Sequence, residues 1–247
     1  MAFDTATLDA PFAALAAFDW GADAAAFKTI DAAVIAAHDD ESLRAELERR
    51  LGAILGPGPS RAAKEYACRK LMMIGTVSSV PALAALLADK DDSHMARFAL
   101  ERIEAPEAGV ALRQAFGALA GDLKLGMLSS LAARRDAACV PAVAALVRAD
   151  DARLAVAAAA ALGTIGTPEA LAALEAADPL AGAAGRTVAD ARLLCAEGLL
   201  AAGRRAEAQA VYRRLADAVR GKPGAKPIEL ATTRGLLACL DTSPAAG

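Results

Sequence analysis

A heptapeptide that recurs along the chain restricts this sequence to a repeat architecture. Val80–Leu86 reads VPALAAL, and Val140–Leu146, 60 residues later, reads VPAVAAL. Val110–Leu112 occupies the equivalent place halfway between them, and Ala170 and Leu171 follow at the next step, so the repeat length is 30 residues. Repeats of this length form supersecondary units that bury their apolar faces only by stacking on neighbouring units.

Each repeat predicts two helices joined by a short polar turn. Pro81 and Pro141 fall in the first turn of the first helix, where a missing N–H group costs no hydrogen bond. Asp, Ser and Gly residues, which cap helix ends, mark turns at 89–93, 121–122 and 150–151. A leucine of the second helix recurs at Leu71, Leu100, Leu131 and Leu162.

The composition favours closely packed helices over strands. Hydrophobic residues make up 56% of the chain but aromatic residues only 4%, so Ala, Leu and Val supply the apolar surface. Ala is the strongest helix former and lets helix axes approach, whereas strands favour aromatic and β-branched residues. We therefore expect an all-α fold, a right-handed α-solenoid of about seven antiparallel helix pairs.

No linker divides the sequence, so we expect one α-solenoid domain over residues 1–247. Residues 1–59 supply capping helices at 8–18, 23–38 and 41–55. Trp20 is expected to pack at the end of the array, and the alternative is a binding aromatic. Residues 60–178 hold the repeats, and residues 179–241 a helical hairpin and a closing helix. Residues 242–247 read as a tail or the start of a linker, as in a domain of a longer polypeptide.

The repeats carry a family resemblance. Ala159–Leu171, AAALGTIGTPEAL, resembles the short HEAT-like repeat that is also found in phycobilisome lyases. The resemblance covers about residues 60–178. Leu154 and Ala155 stand where such repeats usually have Val and Arg, which argues against an Asp–Arg ladder along the array.

Two further segments add weaker resemblances. Ser93–Glu101 resembles bacterial HEAT-repeat proteins of uncharacterised role, which are often parts of longer polypeptides. Near the C-terminus, the spacing of a tetratricopeptide hairpin is found at Leu199, Gly203, Ala208, Tyr212 and Leu215.

Sequence motifs for catalysis or cofactor binding are absent. The chain has no G-x-S-x-G, HExxH or G-x-G-x-x-G motif, and its two histidines and four separated cysteines do not have zinc-site spacing. The acidic cluster at Asp89, Asp91 and Asp92 lacks the EF-hand spacing and indicates a solvated turn. We therefore expect no enzyme activity, no cofactor and no metal.

The charge pattern and the N-terminus limit the choice of partners. A net charge of -3, spread along the chain, leaves no basic footprint for nucleic acid or an anionic membrane. The N-terminal residues lack the basic and apolar regions expected of a signal peptide, and the most apolar run, Leu154–Gly163, is too short to span a bilayer. We therefore expect a soluble, by default cytoplasmic, protein with a protein or peptide partner.

The helical periodicity separates core positions of the second helices from exposed ones. Ala96, Ala99, Leu100 and Ile103 share one face at about 100° per residue, which places His94, Phe98 and Arg102 opposite. In HEAT-like proteins the second helices line the concave side. The corresponding candidates for a partner-binding face are Glu65, Arg69, Met72, His94, Phe98, Arg102, Leu125 and Ser129. Alternatively, Phe98 and Met72 fill space between adjacent helices.

These observations leave three functional hypotheses. The first is a non-enzymatic scaffold that binds a protein or peptide on its curved surface. The second, implied by the resemblance, is a phycobilisome-lyase-like enzyme component with a groove for a pigment. The third is a nucleic-acid-binding HEAT-like protein, which Leu125 and other apolar groove residues disfavour.

Overall fold

Every regular element in the described part of the chain is helical. The computed structural model describes residues 3–23, 25 and 27–240, so the predicted tail at 242–247 lies outside the described residues. The helices are α1 (Asp9–Ala16), α2 (Phe27–Ala36), α3 (Glu41–Ile54), α4 (Arg61–Ile74), α5 (Val80–Ala84), α6 (Ser93–Arg102), α7 (Pro106–Ala118), α8 (Gly121–Ala133), α9 (Val140–Ala144), α10 (Ala152–Ile165), α11 (Pro168–Glu175), α12 (Gly185–Ala201), α13 (Arg205–Val219) and α14 (Lys226–Leu240). The prediction of an all-α fold is confirmed.

The chain divides into two compact units, Met1–Ser130 and Leu131–Gly247, with the boundary inside α8. Short 3-10 helices at Thr5–Leu8, Val77–Ser79 and Ala137–Cys139 precede α1, α5 and α9. The prediction of one continuous solenoid domain stays a prediction.

None of the described helices is both long enough and apolar enough to cross a bilayer.

Side-chain caps fix where the helices begin. Ser60 accepts a hydrogen bond from the backbone N–H of Ala63 at the start of α4, and Asp151 and Thr167 play the same role for α10 and α11. Proline occupies the first turn of α5 and α9, as predicted for Pro81 and Pro141. The turn predicted at residues 121–122 is instead the first turn of α8.

In the first unit, second helices of successive repeats pack on each other. Helix α4 contacts both α3 and α6, and α5 contacts α6 and α7. The predicted core leucines Leu71 and Leu100 are fully buried, together with Leu47, Leu51 and Leu83. Helices α4, α6 and the first part of α8 are thus the second helices of three consecutive repeats in this unit.

The N-terminal helices lie where the sequence predicts them, but the packing of the aromatic residues differs from the prediction. Trp20 is 64% exposed, so the end-packing role expected for it is wrong. Phe27 lies between Phe18 and Tyr66 instead, with ring centroids 4.8 Å from each. The aromatic contacts of this region therefore centre on the buried Phe27 of α2, with the half-buried Phe18 and Tyr66 on either side.

In the second unit, small residues allow the helices to approach closely. A Cβ atom at Gly163 of α10 would lie 2.7 Å from the Ala191 side chain of α12, and one at Gly235 of α14 would lie 2.3 Å from the Tyr212 ring. Both distances are below van der Waals contact, so glycine is required there. The predicted hairpin is present as α12 and α13, joined at Gly203, which has a φ of 76°.

Candidate functional site

The predicted partner-binding residues lie on three successive second helices, α4, α6 and α8, in the first unit. Their opposite side is the core, because Ala96, Ala99, Leu100 and Ile103 are all buried as predicted. We call the predicted residues the second-helix face. Its exposed members are Arg69, His94, Phe98, Arg102 and Ser129, and its half-buried members are Glu65, Met72 and Leu125.

The α4 part of the face combines an ion pair with methionine surface. Arg69 pairs with Glu65 one turn earlier, so these two charges offset each other. Met72 is half-buried, whereas its neighbour Met73 is 63% exposed. A flexible thioether side chain adapts readily to the shape of a contacting surface.

The α6 part of the face carries an aromatic pair. Phe98 is 38% exposed, and its ring centroid lies 4.4 Å from that of His94 at an interplanar angle of 50°. His94 is exposed as well, and its Nδ1 lies 3.3 Å from Arg97 Nη2. Arg102 is exposed in the last turn of the same helix. The outward ring of Phe98 is thus supported by groups that are themselves anchored.

Arg97 is a structural residue that the sequence analysis missed. It is only 9% exposed, and its Nη1 donates to the Gly126 carbonyl oxygen at 2.8 Å and to Ser130 Oγ at 2.9 Å. Burial lowers the pKa of Arg97, and the charge of Glu101 opposes this shift. Arg97 and Gly126 are 29 residues apart, close to the repeat length, and this spacing was the sequence signal that could have indicated their contact.

A second polar link joins the preceding pair of helices. Lys64 Nζ on α4 lies 2.7 Å from the carboxylate of Asp92, the residue that precedes α6, and both side chains are mostly buried. The sequence argues against an Asp–Arg ladder, because Leu154 and Ala155 stand in place of the usual Val and Arg. In this unit, Lys64–Asp92 and Arg97–Gly126 instead supply inter-repeat links of a different chemistry.

A groove lies beside the end of the second-helix face. It has a volume of about 450 Å³ and includes Arg102, which also belongs to the face. Met73 and the 48% exposed Val77 provide apolar surface in it, and Arg44 and Glu104 add opposite charges. The exposed apolar surface of the face therefore continues past the ends of α4 and α6.

The buried cysteines are poor nucleophiles. Burial raises the pKa of the Cys68 thiol to about 12 and that of Cys195 to about 11. Both thiols are therefore protonated at neutral pH, and the thiolate is the reactive form. Within the described ranges, no three His, Cys, Asp or Glu side chains are grouped closely enough to hold a metal ion.

Comparison with known proteins identifies one repeat directly. Residues 154–178 match the family model of the PBS lyase HEAT-like repeat. The match covers most of α10, all of α11 and the turn between them, so it coincides with one helix pair. No curated protein matches the chain. The prediction of a HEAT-like repeat protein is confirmed.

Proposed function

We propose that this HEAT-like repeat protein is a non-enzymatic α-solenoid scaffold that binds a protein or peptide through its second-helix face. The observation that carries the proposal is the partly exposed ring of Phe98, which lies against His94 at a tilted angle and is accompanied by the exposed Arg69 and Arg102. Aromatic and arginine side chains contribute most of the binding free energy in many protein interfaces.

The helices that present this face are joined to each other by buried polar contacts. Lys64–Asp92 links α4 to the start of α6, and Arg97 links α6 to Gly126 and Ser130 on α8. A surface held in place before binding loses less conformational entropy on association. This supports a preformed recognition surface over a loop that orders on binding.

The repeat architecture supports an extended binding surface. Helices α4 and α6 pack on each other, and Arg97 joins α6 to α8, which supports an array whose repeats contact their neighbours. Such arrays bind partners along a concave side formed by equivalent helices. On this proposal, the second-helix face is part of that side.

Affinity capture from host lysate, followed by binding measurements with the purified partner, tests the proposal. The face variant is Arg69→Glu, Phe98→Asp, and the control variant is Arg213→Glu, Leu194→Asp, which changes an exposed cation and an exposed hydrophobic residue of the second unit. We expect wild type and control to bind alike and the face variant to lose at least about tenfold in affinity. Equal binding by all three folded proteins would refute the assignment of the face.

A phycobilisome-lyase-like role is the second hypothesis, and the repeat match over residues 154–178 favours it. Handling of a bilin requires a groove that holds the pigment and changes its environment. Incubation of the purified protein with a bilin would then shift the visible absorbance of the pigment. An unchanged spectrum at saturating protein concentration would eliminate this hypothesis.

A further inference from the structure

A cavity of about 240 Å³ in the second unit combines apolar walls with a small number of charges. The start of α11 and the facing parts of α12 and α13 line it. Its apolar residues are Pro168, Leu171, Cys195, Leu199, Ala210 and Val211. Cavities that are mostly apolar and contain a few convergent polar groups are typical of small-molecule sites.

The charges that line the cavity sum to plus one. Arg204 and Glu207 offset each other in a bidentate pair, with N···O distances of 2.7 and 2.6 Å. The remaining charge is Arg214, whose partner Glu175 does not line the cavity. Arg214 Nε and Nη2 lie 2.9 and 2.8 Å from the Glu175 carboxylate. The cavity therefore presents the guanidinium of Arg214, whose charge is offset by a carboxylate outside the cavity lining.

Glu175 serves as the shared counter-charge of two arginines. Arg192 on α12 is 3% exposed, and its Nε is among the few buried polar atoms in the described residues without a hydrogen-bond partner. Burial lowers the pKa of Arg192, the charge of Glu175 opposes this shift and that of Arg214 adds to it. A buried guanidinium nitrogen without a hydrogen-bond partner is unfavourable, so Arg192 would gain from a carboxylate that Arg214 now holds.

We propose that this cavity binds a small carboxylate ligand with an apolar body, and that binding releases Glu175 from Arg214 to Arg192. The ligand carboxylate takes the fork of Arg214, and its apolar body packs against Leu171, Leu199 and Val211. Arg192, Arg214 and Glu175 together carry a net charge of plus one, which a single negative charge on the ligand offsets. This site is separate from the partner-binding proposal, since none of its residues belongs to the second-helix face.

A matched series of eight-carbon probes tests the charge requirement on the full chain. Octanoate, 1-octanol and octylammonium share one apolar body and differ in the charge of the headgroup. Each is added below its micelle concentration, and thermal unfolding is followed by circular dichroism. We expect octanoate to raise the Tm by about 3 to 6 °C at a tenfold excess over Kd, and the other two to have little effect. An equal rise with 1-octanol would overturn the carboxylate assignment.

Two variants test the residues, with a control on the same helix. Arg214→Gln should weaken octanoate binding at least about tenfold, whereas Arg213→Gln, an exposed neighbour outside the cavity, should bind as the wild type does. Arg192→Met should also weaken binding, because Glu175 then has no second cation to move to. Unchanged affinity in Arg214→Gln would overturn the site, and unchanged affinity in Arg192→Met would overturn the exchange of Glu175.

Discussion

The guanidinium of Arg97 lies directly against Gly126 on the next second helix, and its Nη1 donates to the Gly126 carbonyl oxygen at 2.8 Å. A Cβ atom at position 126 would lie 2.8 Å from both Arg97 Cζ and Nη2. The arginine is therefore buried between repeats only because the facing residue has no side chain. This contact makes a helical glycine favourable at a position where alanine would normally be better.

Gly126→Ala should therefore destabilise the protein, against the intrinsic helix preference. We expect a loss of about 1 to 3 kcal/mol in the free energy of unfolding, because the displaced Arg97 loses its buried hydrogen bonds. Gly117→Ala is the control, since a Cβ there meets nothing within 4 Å, and it should stabilise by up to about 1 kcal/mol. Urea denaturation measures both. Stabilisation of similar size in both variants would contradict the steric role of Gly126.

Among the acidic residues of α3, Glu48 should contribute most to the stability of the fold. It is 6% exposed, and its carboxylate accepts from the Thr76 backbone N–H at 2.6 Å and from Ser79 Oγ at 2.5 Å. Glu48→Ala leaves these donors unpaired, so we expect a loss of about 2 to 4 kcal/mol in urea denaturation. Glu41→Ala, which removes a carboxylate that is almost fully exposed, should cost under about 1 kcal/mol. Equal losses would show that Glu48 does not hold the turn after α4.

Leu100 and Phe98 separate the core side of α6 from its outer side. Leu100→Ala opens a cavity at a fully buried position and should cost about 2 to 5 kcal/mol. Phe98→Ala should cost about 1 kcal/mol, since much of the ring faces solvent and its contact with His94 is a surface contact. Thermal melts with matched protein concentrations compare the two. A loss for Phe98→Ala as large as that for Leu100→Ala would mean that the ring fills space between helices.

Glu46 should contribute stability that disappears in acid. Hydrogen bonds from Arg49 and Arg50 lower the pKa of Glu46 to about 2 from an ordinary value of 4.5. A carboxylate with a depressed folded-state pKa stabilises above its unfolded pKa and loses this contribution as the pH falls through its folded pKa. The stability difference between wild type and Glu46→Gln should thus be full above about pH 4.5 and vanish near pH 2. A difference that does not change across this range would contradict the ion pairs.

The four cysteines should differ in reactivity in the folded protein. Cys68, Cys139 and Cys195 are buried, and Cys239 is half-buried on α14. Because reaction requires an accessible thiolate, iodoacetamide should modify Cys239 first and the other three only on unfolding. Peptide mass spectrometry before and after addition of urea identifies the modified residues. Rapid modification of Cys68 in the native protein would show that the α4–α6 interface opens readily.

The sequence predicted the helical elements well because their signals are local. Caps such as Ser60 and first-turn prolines such as Pro81 act within one turn, and the structure places both as expected. The core positions of α6 followed from its periodicity alone. The short length of α5, five residues, was not predicted, since no breaker follows it in the sequence.

The candidate sites were less accessible to sequence reasoning. Exposure of Phe98 and Arg102 follows from helical periodicity, so the second-helix face could be outlined without coordinates. The cavity beside Arg214 could not be predicted, because its walls come from α11, α12 and α13, whose packing is not encoded at any fixed spacing. The burial of Arg192 could not be predicted either, because arginine side chains are usually exposed.

The sequence by itself determined the all-helical fold, the 30-residue repeat and the side of each second helix that enters the core. These properties depend on caps, prolines and apolar periodicity, which act over a few residues along one helix. The tertiary structure decided which polar groups meet: Arg97 and Gly126, Glu48 and Thr76, and Glu175 and Arg214. Each of these contacts joins residues at least 28 positions apart, and its free energy depends on distances and desolvation that exist only once the helices have packed.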